Sequence, residues 1–120
     1  MSDLTVYSLK NCDTCKKALK WLRDQSIGHT NLDIRADGLP GSAIEHIVHA
    51  VGWEKALNRR STTWRGLSEE ERENPDNEKA IALIEAHPTL LKRPAFILDE
   101  EVRVGFDAST QEWLANTGRG

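Results

Sequence analysis

The chain has 120 residues, of which 38% are hydrophobic and 29% are charged, and its formal net charge is −3 at pH 7. A chain of this length forms one domain with a hydrophobic core of its own, so we expect a single domain over residues 1–120. The acidic balance argues against direct nucleic-acid binding. No segment has the length of a membrane span or the apolar run of a signal peptide, which favours a cytoplasmic protein without membrane contact.

The first third of the chain has the pattern of a strand–helix–strand unit. Apolar and polar residues alternate from Leu4 to Leu9, which predicts a strand. Residues 13–25 then follow a helical pattern that ends before Gly28. Residues 29–34 predict a second, less apolar strand. Such a crossover implies parallel pairing of the two strands.

The middle of the chain is predicted to be a mostly helical insertion over about residues 40–91. One amphipathic helix ends at Gly52, and a short helical piece follows from Trp53. Ser68 precedes three glutamates, which is typical of a capped helix start. A further helix ends near His87 and Pro88.

The last third returns to strands. Residues 95–98 and 102–106 predict an antiparallel hairpin. Ser109 or Thr110 is predicted to cap a final helix that buries Trp113 and Leu114. The resulting order predicts an α/β fold with a mixed four-stranded sheet and an insertion between strands 2 and 3, which is the thioredoxin-like arrangement.

Cys12 lies where the first strand gives way to the first helix. Unpaired N–H groups and the helix dipole favour negative charge there, so we expect a lowered pKa and a nucleophilic thiolate. Cys15 continues the apolar stripe and is predicted to be more buried, as a candidate resolving thiol. A structural disulfide or a simple core role for Cys15 are the alternatives. The chain has 2 cysteines, so no metal site is expected, because structural zinc needs further ligands at metal spacing.

A local positive patch precedes the glutamate run. It contains Lys55, Arg59, Arg60 and Arg65. The patch either binds an anion or is a solvated face that pairs with the acidic residues that follow.

Four ordered blocks together resemble the ArsC/Spx family, closest to its YffB-like branch. They are Asn11–Ala18 (NCDTCKKA), Arg60–Arg65 (RSTTWR), Lys92–Pro94 (KRP) and Val104–Phe106 (VGF). The resemblance runs over nearly the whole chain and implies a thioredoxin-like fold.

The same resemblance implies roles for individual residues. Cys12 matches the catalytic cysteine, Pro94 the cis-proline that faces it, and Arg93 the arginine beside that proline. Arg60 matches another arginine of the arsenate reductases, although Arg59 takes that place if the match shifts by one.

These side chains suit an anionic ligand. Arginine binds carboxylates and oxyanions through two parallel N–H groups. Arg60 and Arg93, with Asn11, Lys16 and Pro94, are therefore the predicted site for an oxyanion or for glutathione.

The function that the resemblance implies is a glutathione- or glutaredoxin-linked thiol reductase, with glutathione as co-substrate and no tightly bound cofactor. Its substrate is a disulfide or a small oxyanion. Two departures count against arsenate itself: the region Arg103–Phe106 offers no clear match for a further arginine of the arsenate reductases, and those enzymes generally lack the second cysteine. Spx-type regulators share that cysteine pair, so a redox-sensing regulator that binds RNA polymerase is the alternative.

Overall fold

The first third of the chain folds as the alternation of its apolar residues predicts. In the computed structural model, which describes residues 4–117, strand β1 spans Thr5–Ser8, helix α1 spans Asp13–Asp24 and strand β2 spans Thr30–Asp33. Helix α1 buries its apolar face, which consists of Cys15, Ala18 and Leu22. These residues are three and four positions apart and therefore share one side of the helix.

Short helices make up the middle of the chain. They are α2 (Gly41–Val51), α3 (Trp53–Ala56), α4 (Thr62–Arg65), α5 (Glu69–Arg72), α6 (Asn77–Ala86) and a 3-10 helix (Pro88–Leu90). Gly52, between α2 and α3, has a φ of 87°, a conformation that glycine adopts without steric cost. The sequence does not predict α4 or the 3-10 helix, because neither segment has an apolar periodicity that indicates a helix.

The last third contains strand β3 (Ala95–Leu98), strand β4 (Glu101–Val104) and helix α7 (Ala108–Thr117). The prediction that Ser109 or Thr110 caps this helix is wrong. Helix α7 begins before both residues, and the carboxylate of Asp107 accepts a hydrogen bond from the Thr110 N–H at 2.8 Å. Asp107 therefore satisfies a helix donor that lacks a partner within the helix.

The strands form one mixed sheet in the order β2-β1-β3-β4. β1 pairs with β2 in parallel and with β3 in antiparallel orientation, and β3 pairs with β4 in antiparallel orientation. The predicted α/β fold with a mixed four-stranded sheet is confirmed. The carboxyl ends of β1 and β2 meet at one edge of the sheet, and the chain leaves β1 there toward Cys12.

The described residues form two compact units. One lies within Met1–Gly38 and Arg93–Gly120 and contains the sheet, α1 and α7; the other is Leu39–Lys92. Val6, Leu22, Phe96 and Leu114 are fully buried in the core of the first unit. In the second unit, the fully buried side chains include Ile47, Ile84 and Leu90. The single domain with an insertion over about 40–91 stays a prediction.

Membrane-spanning helices are absent from residues 4–117. None of the helices there combines the length and the apolarity that a bilayer crossing requires.

Candidate active site

Cys12 is held at the amino-terminal end of α1 by its own backbone. Its N–H donates to the Leu9 carbonyl at 3.0 Å, and its carbonyl accepts the Lys16 N–H at 3.0 Å. With a φ of −99° and a ψ of 118°, Cys12 is the extended residue that immediately precedes the helix. The half-buried side chain thus lies where helix N–H groups favour a negative charge.

Cys15 lies beneath Cys12 in the first turn of α1. Its side chain is 1% exposed, whereas that of Cys12 is half-buried, and both are free thiols. The backbone N–H and the thiol of Cys15 both hydrogen-bond the sulfur of Cys12. Cys15 is therefore a donor to Cys12 in the reduced protein.

Arg93 reaches the same sulfur from the segment that precedes β3. Its guanidinium acts on Cys12 both through its charge and as a hydrogen-bond donor. The peptide bond between Arg93 and the buried Pro94 is cis. The Pro94 carbonyl accepts the Gly105 N–H at 2.9 Å, which joins this segment to the end of the hairpin.

These surroundings separate the pKa values of the two thiols. Burial raises the pKa of Cys12, but the hydrogen bonds from Cys15 and the charge and hydrogen bond of Arg93 outweigh burial, so the pKa lies below its ordinary value. Burial is also the main reason that the pKa of Cys15 is raised to about 12, and the adjacent Cys12 sulfur raises it further. Cys12 therefore loses its proton first, and Cys15 keeps its proton at neutral pH.

The other predicted ligand-binding residues fall into two groups. Asn11 and Lys16 are exposed and flank Cys12 in the sequence. Arg60 belongs to the second compact unit, where its carbonyl accepts a hydrogen bond from the Arg65 guanidinium at 2.7 Å. In the same unit, the guanidinium of Arg59 lies over the ring of Trp53, 5.3 Å from its centroid. The role of Arg60 stays a prediction.

Asp33 is a residue near the site that the sequence does not single out. Its carboxylate accepts the N–H of Lys10, two residues before Cys12, at 2.9 Å. The available signal is an acidic residue at the end of a strand predicted to be parallel to β1. Parallel strands end at the same edge of a sheet, so that residue is placed near the loop that follows β1.

A family model and two relatives match this chain over most of its length. The ArsC family model matches residues 7–114. An uncharacterised protein of Haemophilus influenzae is 43% identical over 104 residues, which are 87% of this chain and 91% of the relative. The global transcriptional regulator Spx of Listeria innocua is 27% identical over 106 residues, which are 87% of this chain and 80% of the regulator.

Two solved structures resemble the chain over most of their length. A YffB protein is 34% identical with a TM-score of 0.86, and the match covers 92% of this chain and 96% of that one. An arsenate reductase (ArsC) related protein of Brucella melitensis is 40% identical with a TM-score of 0.74, and the match covers 92% of each chain. These matches confirm the predicted thioredoxin-like fold and the family that the sequence blocks suggest. The chain belongs to the ArsC family.

Proposed function

We propose that this ArsC-family protein is a glutathione- or glutaredoxin-linked thiol reductase whose nucleophile is Cys12. The observation that supports this proposal is the convergence of Arg93 and the two Cys15 donors on the Cys12 sulfur. Thiolates, not thiols, attack disulfide sulfur, so a lowered pKa increases the reactive fraction at neutral pH. A cytoplasmic location is part of the proposal, since reducing compartments keep such cysteines as free thiols.

The reaction consists of two thiol–disulfide exchanges. The Cys12 thiolate attacks the glutathione sulfur of a mixed disulfide, a Cys12–glutathione bond forms, and the substrate leaves as a thiolate that takes a proton from water. A second glutathione thiolate then attacks the glutathione sulfur bound to Cys12. This step releases the Cys12 thiolate and forms glutathione disulfide. Across both steps, one glutathione thiol is consumed, the substrate thiol is released, and the disulfide bond passes from the substrate to the two glutathione moieties.

An external thiol is a better resolving group than Cys15. The Cys15 side chain is 1% exposed, and its pKa is raised to about 12, chiefly by burial. A thiol that keeps its proton attacks slowly, whereas glutathione and glutaredoxin approach from solvent. The role proposed for Cys15 is therefore donation of a hydrogen bond to the Cys12 sulfur.

Binding of glutathione is proposed to use cations beside Cys12. Glutathione carries two carboxylates, and the Arg93 guanidinium is suited to one of them. Lys16 and Asn11 are exposed in the segment around Cys12 and are the proposed further contacts. Disulfide substrates are preferred over arsenate in this proposal, because Arg103–Phe106 offers no clear match for the additional arginine of the arsenate reductases.

Turnover of a glutathionylated peptide tests the proposal. With glutathione and glutathione reductase present, wild-type protein is expected to release the peptide thiol catalytically, and Cys12→Ser to lose this activity. Cys15→Ser is expected to retain turnover, because the resolving thiol comes from solution. Activity in Cys12→Ser equal to that of wild type would rule out Cys12 as the nucleophile. Loss of activity in Cys15→Ser with trapped Cys12–glutathione adduct would make Cys15 the resolving thiol.

A redox-sensing regulator is the second candidate function. The observation that favours it is the match to Spx over 87% of this chain, together with the cysteine pair. Affinity capture with the reduced and the oxidised protein, using RNA polymerase as the partner, tests this candidate. Specific capture in one redox state without glutathione-dependent turnover would replace the reductase proposal by the regulator.

A further inference from the structure

Asp33 connects the end of β2 to the loop that carries Cys12. In the parallel pairing of β1 with β2, Asp33 is opposite Ser8, and the Ile34 N–H donates to the Ser8 carbonyl at 2.9 Å. Beyond this point the strands no longer pair, but the Asp33 carboxylate extends the connection. One of its oxygens, Oδ2, accepts the Lys10 N–H at 2.9 Å.

The carboxylate of Asp33 is fixed from its other side. Its second oxygen, Oδ1, accepts the N–H groups of Arg35 at 2.8 Å and Ala36 at 3.0 Å. The Asp33 N–H donates to the Asp37 carboxylate at 2.8 Å, and the Asp37 N–H donates to the Asp33 carbonyl at 2.8 Å. A carboxylate held in this way has one orientation from which to bind the Lys10 N–H.

The Lys10 bond fixes the segment from which Cys12 follows. Within this short loop the Cys12 N–H is taken by the Leu9 carbonyl, and the Lys10 N–H by Asp33. Lys10 is exposed, so water could replace Asp33 as an acceptor at little cost in folding free energy. The bond therefore matters more for the position of the loop than for stability.

We infer that Asp33 is a positioning residue that holds the Lys10–Cys12 segment so that the Cys12 sulfur meets the Cys15 and Arg93 donors. The inference rests on the proposed function only in taking Cys12 as the reacting thiol. The N–H groups of Ala36, Arg35 and Lys10 also hold the pKa of the Asp33 carboxyl below its ordinary value, so it is a carboxylate at neutral pH. As an anion, Asp33 has four lone-pair sites for its three N–H donors.

Asp33→Asn separates this role from a plain effect of charge. Asparagine has one acceptor oxygen and one NH₂ group, so either Lys10 or the Arg35 and Ala36 pair must face a donor instead of an acceptor. The loss of a negative charge alone would lower the pKa of Cys12 and speed its alkylation. Misplacement of the loop would weaken the bonds from Cys15 and Arg93 and slow alkylation. The two explanations therefore predict opposite changes in the rate of Cys12 alkylation.

Asp37→Asn is the matched control. It removes the same charge from the same turn, but its amide oxygen can still accept the Asp33 N–H, and Asp37 has no hydrogen bond to the Lys10–Cys12 segment. Cys12 alkylation by iodoacetamide is followed by peptide mass spectrometry across pH 5–9 for wild type and both variants. Melting temperatures are measured in parallel to identify loss of folding.

We expect Asp33→Asn to shift the pH profile of Cys12 to higher pH and to lower its rate at pH 7 severalfold, whereas Asp37→Asn leaves the profile in place or shifts it to lower pH. A profile for Asp33→Asn that is unchanged or shifted to lower pH would overturn the inference. Equal shifts to higher pH in both variants would also overturn it, because the turn as a whole would then be responsible. Iodoacetamide needs no glutathione, so the result stands independently of the reductase assay.

Discussion

Cys12 and Cys15 are of one residue type, yet their environments change the pKa in opposite directions. The Cys12 sulfur receives hydrogen bonds and faces Arg93, while Cys15 is shielded from solvent beneath it. Pairs of titratable groups whose environments separate their pKa values are typical of sites with distinct chemical roles. The arrangement gives one reactive thiolate and one protonated donor.

Loss of the Arg93 guanidinium is expected to raise the pKa of Cys12. In Arg93→Met the cation beside the sulfur is gone, so alkylation by iodoacetamide at pH 7 should slow severalfold. Arg93→Lys keeps the charge but not the planar guanidinium, so its alkylation rate should lie between those of wild type and Arg93→Met. Arg103→Met is the control, since the Arg103 guanidinium lies over the ring of Trp113, 5.0 Å from its centroid. Equal alkylation profiles in wild type and Arg93→Met would contradict the assigned role of Arg93.

Cys15 is expected to make the protein less stable at high pH. Its folded pKa of about 12 lies above the ordinary value of 9.0, so its contribution to stability is complete below pH 9 and is lost as the pH rises toward 12. Linkage gives a loss of about 1 kcal/mol by pH 10. The contribution of Cys12 to stability changes with pH in the opposite direction. Because its pKa is lowered, this contribution increases as the pH rises and is complete above the ordinary pKa of cysteine.

Urea unfolding of wild type and Cys15→Ala checks this expectation. The difference in free energy of unfolding between the two proteins should shrink by about 1 kcal/mol from pH 8 to pH 10. Groups other than Cys12 cancel in this comparison, and repeating it in a Cys12→Ser background removes the contribution of Cys12, whose pKa depends on Cys15. A difference that stays constant with pH would show that Cys15 does not titrate abnormally.

At the scale of elements, the amino terminus of α7 depends on Asp107. Asp107→Ala removes the acceptor for the Thr110 N–H and is expected to lower the free energy of unfolding by about 1 kcal/mol. Ser109→Ala, at an exposed neighbouring position that could also have served as a cap, should change it by less than about 0.5 kcal/mol. Chemical denaturation measures both, and a larger loss in Ser109→Ala would move the cap back to the predicted residue.

Periodicity explains which elements the sequence could predict. The alternation in β1 and the buried stripe of α1 are properties of neighbouring residues, and so is the glycine stop after α2. The cap of α7 was mispredicted because Asp107, Ser109 and Thr110 are all good capping residues, and the choice depends on where the helix begins. The contact between Asp33 and Lys10 was missed because it joins residues 23 positions apart through one side chain.

At the scale of the whole molecule, the net charge and the charge near Cys12 differ in sign. The chain carries −3 at pH 7, while the segment around Cys12 has three exposed lysines, Lys10, Lys16 and Lys17, and one exposed carboxylate, Asp13. Local charge governs encounter with a small ion within a Debye length of about 8–10 Å. Cys12 is therefore expected to react well with anionic reagents despite the acidic protein.

The rate of Cys12 alkylation by iodoacetate at increasing salt concentration shows whether the local positive charge or the net negative charge governs encounter. Added salt should slow alkylation by iodoacetate more than alkylation by the neutral iodoacetamide. The double variant Lys16→Gln, Lys17→Gln should reduce this difference. Acceleration of iodoacetate by salt would show that the net negative charge governs encounter instead.

Contacts that depend on the three-dimensional fold could not be predicted from the sequence pattern alone. The pair of cysteines and the position of Cys12 before a helix are visible in the residues themselves. That Arg93 belongs to the same site as Cys12 was implied only by the family resemblance, because the two are distant in sequence and no local pattern joins them. The role of Arg60 rests on the same kind of reasoning and stays a prediction.

The pairing of β1 with β3 has a consequence for biosynthesis. Thr5 is opposite Ile97, so this central pairing cannot form until β3 has been synthesised and has left the ribosome. Contacts between residues so far apart in sequence form late, whereas helices of the second unit make contacts of shorter range. Arg93 arrives with β3, so a nascent chain contains Cys12 but not the cation that activates it. The thiol therefore acquires its full reactivity only after the segment that carries Arg93 has been synthesised and β3 has paired with β1.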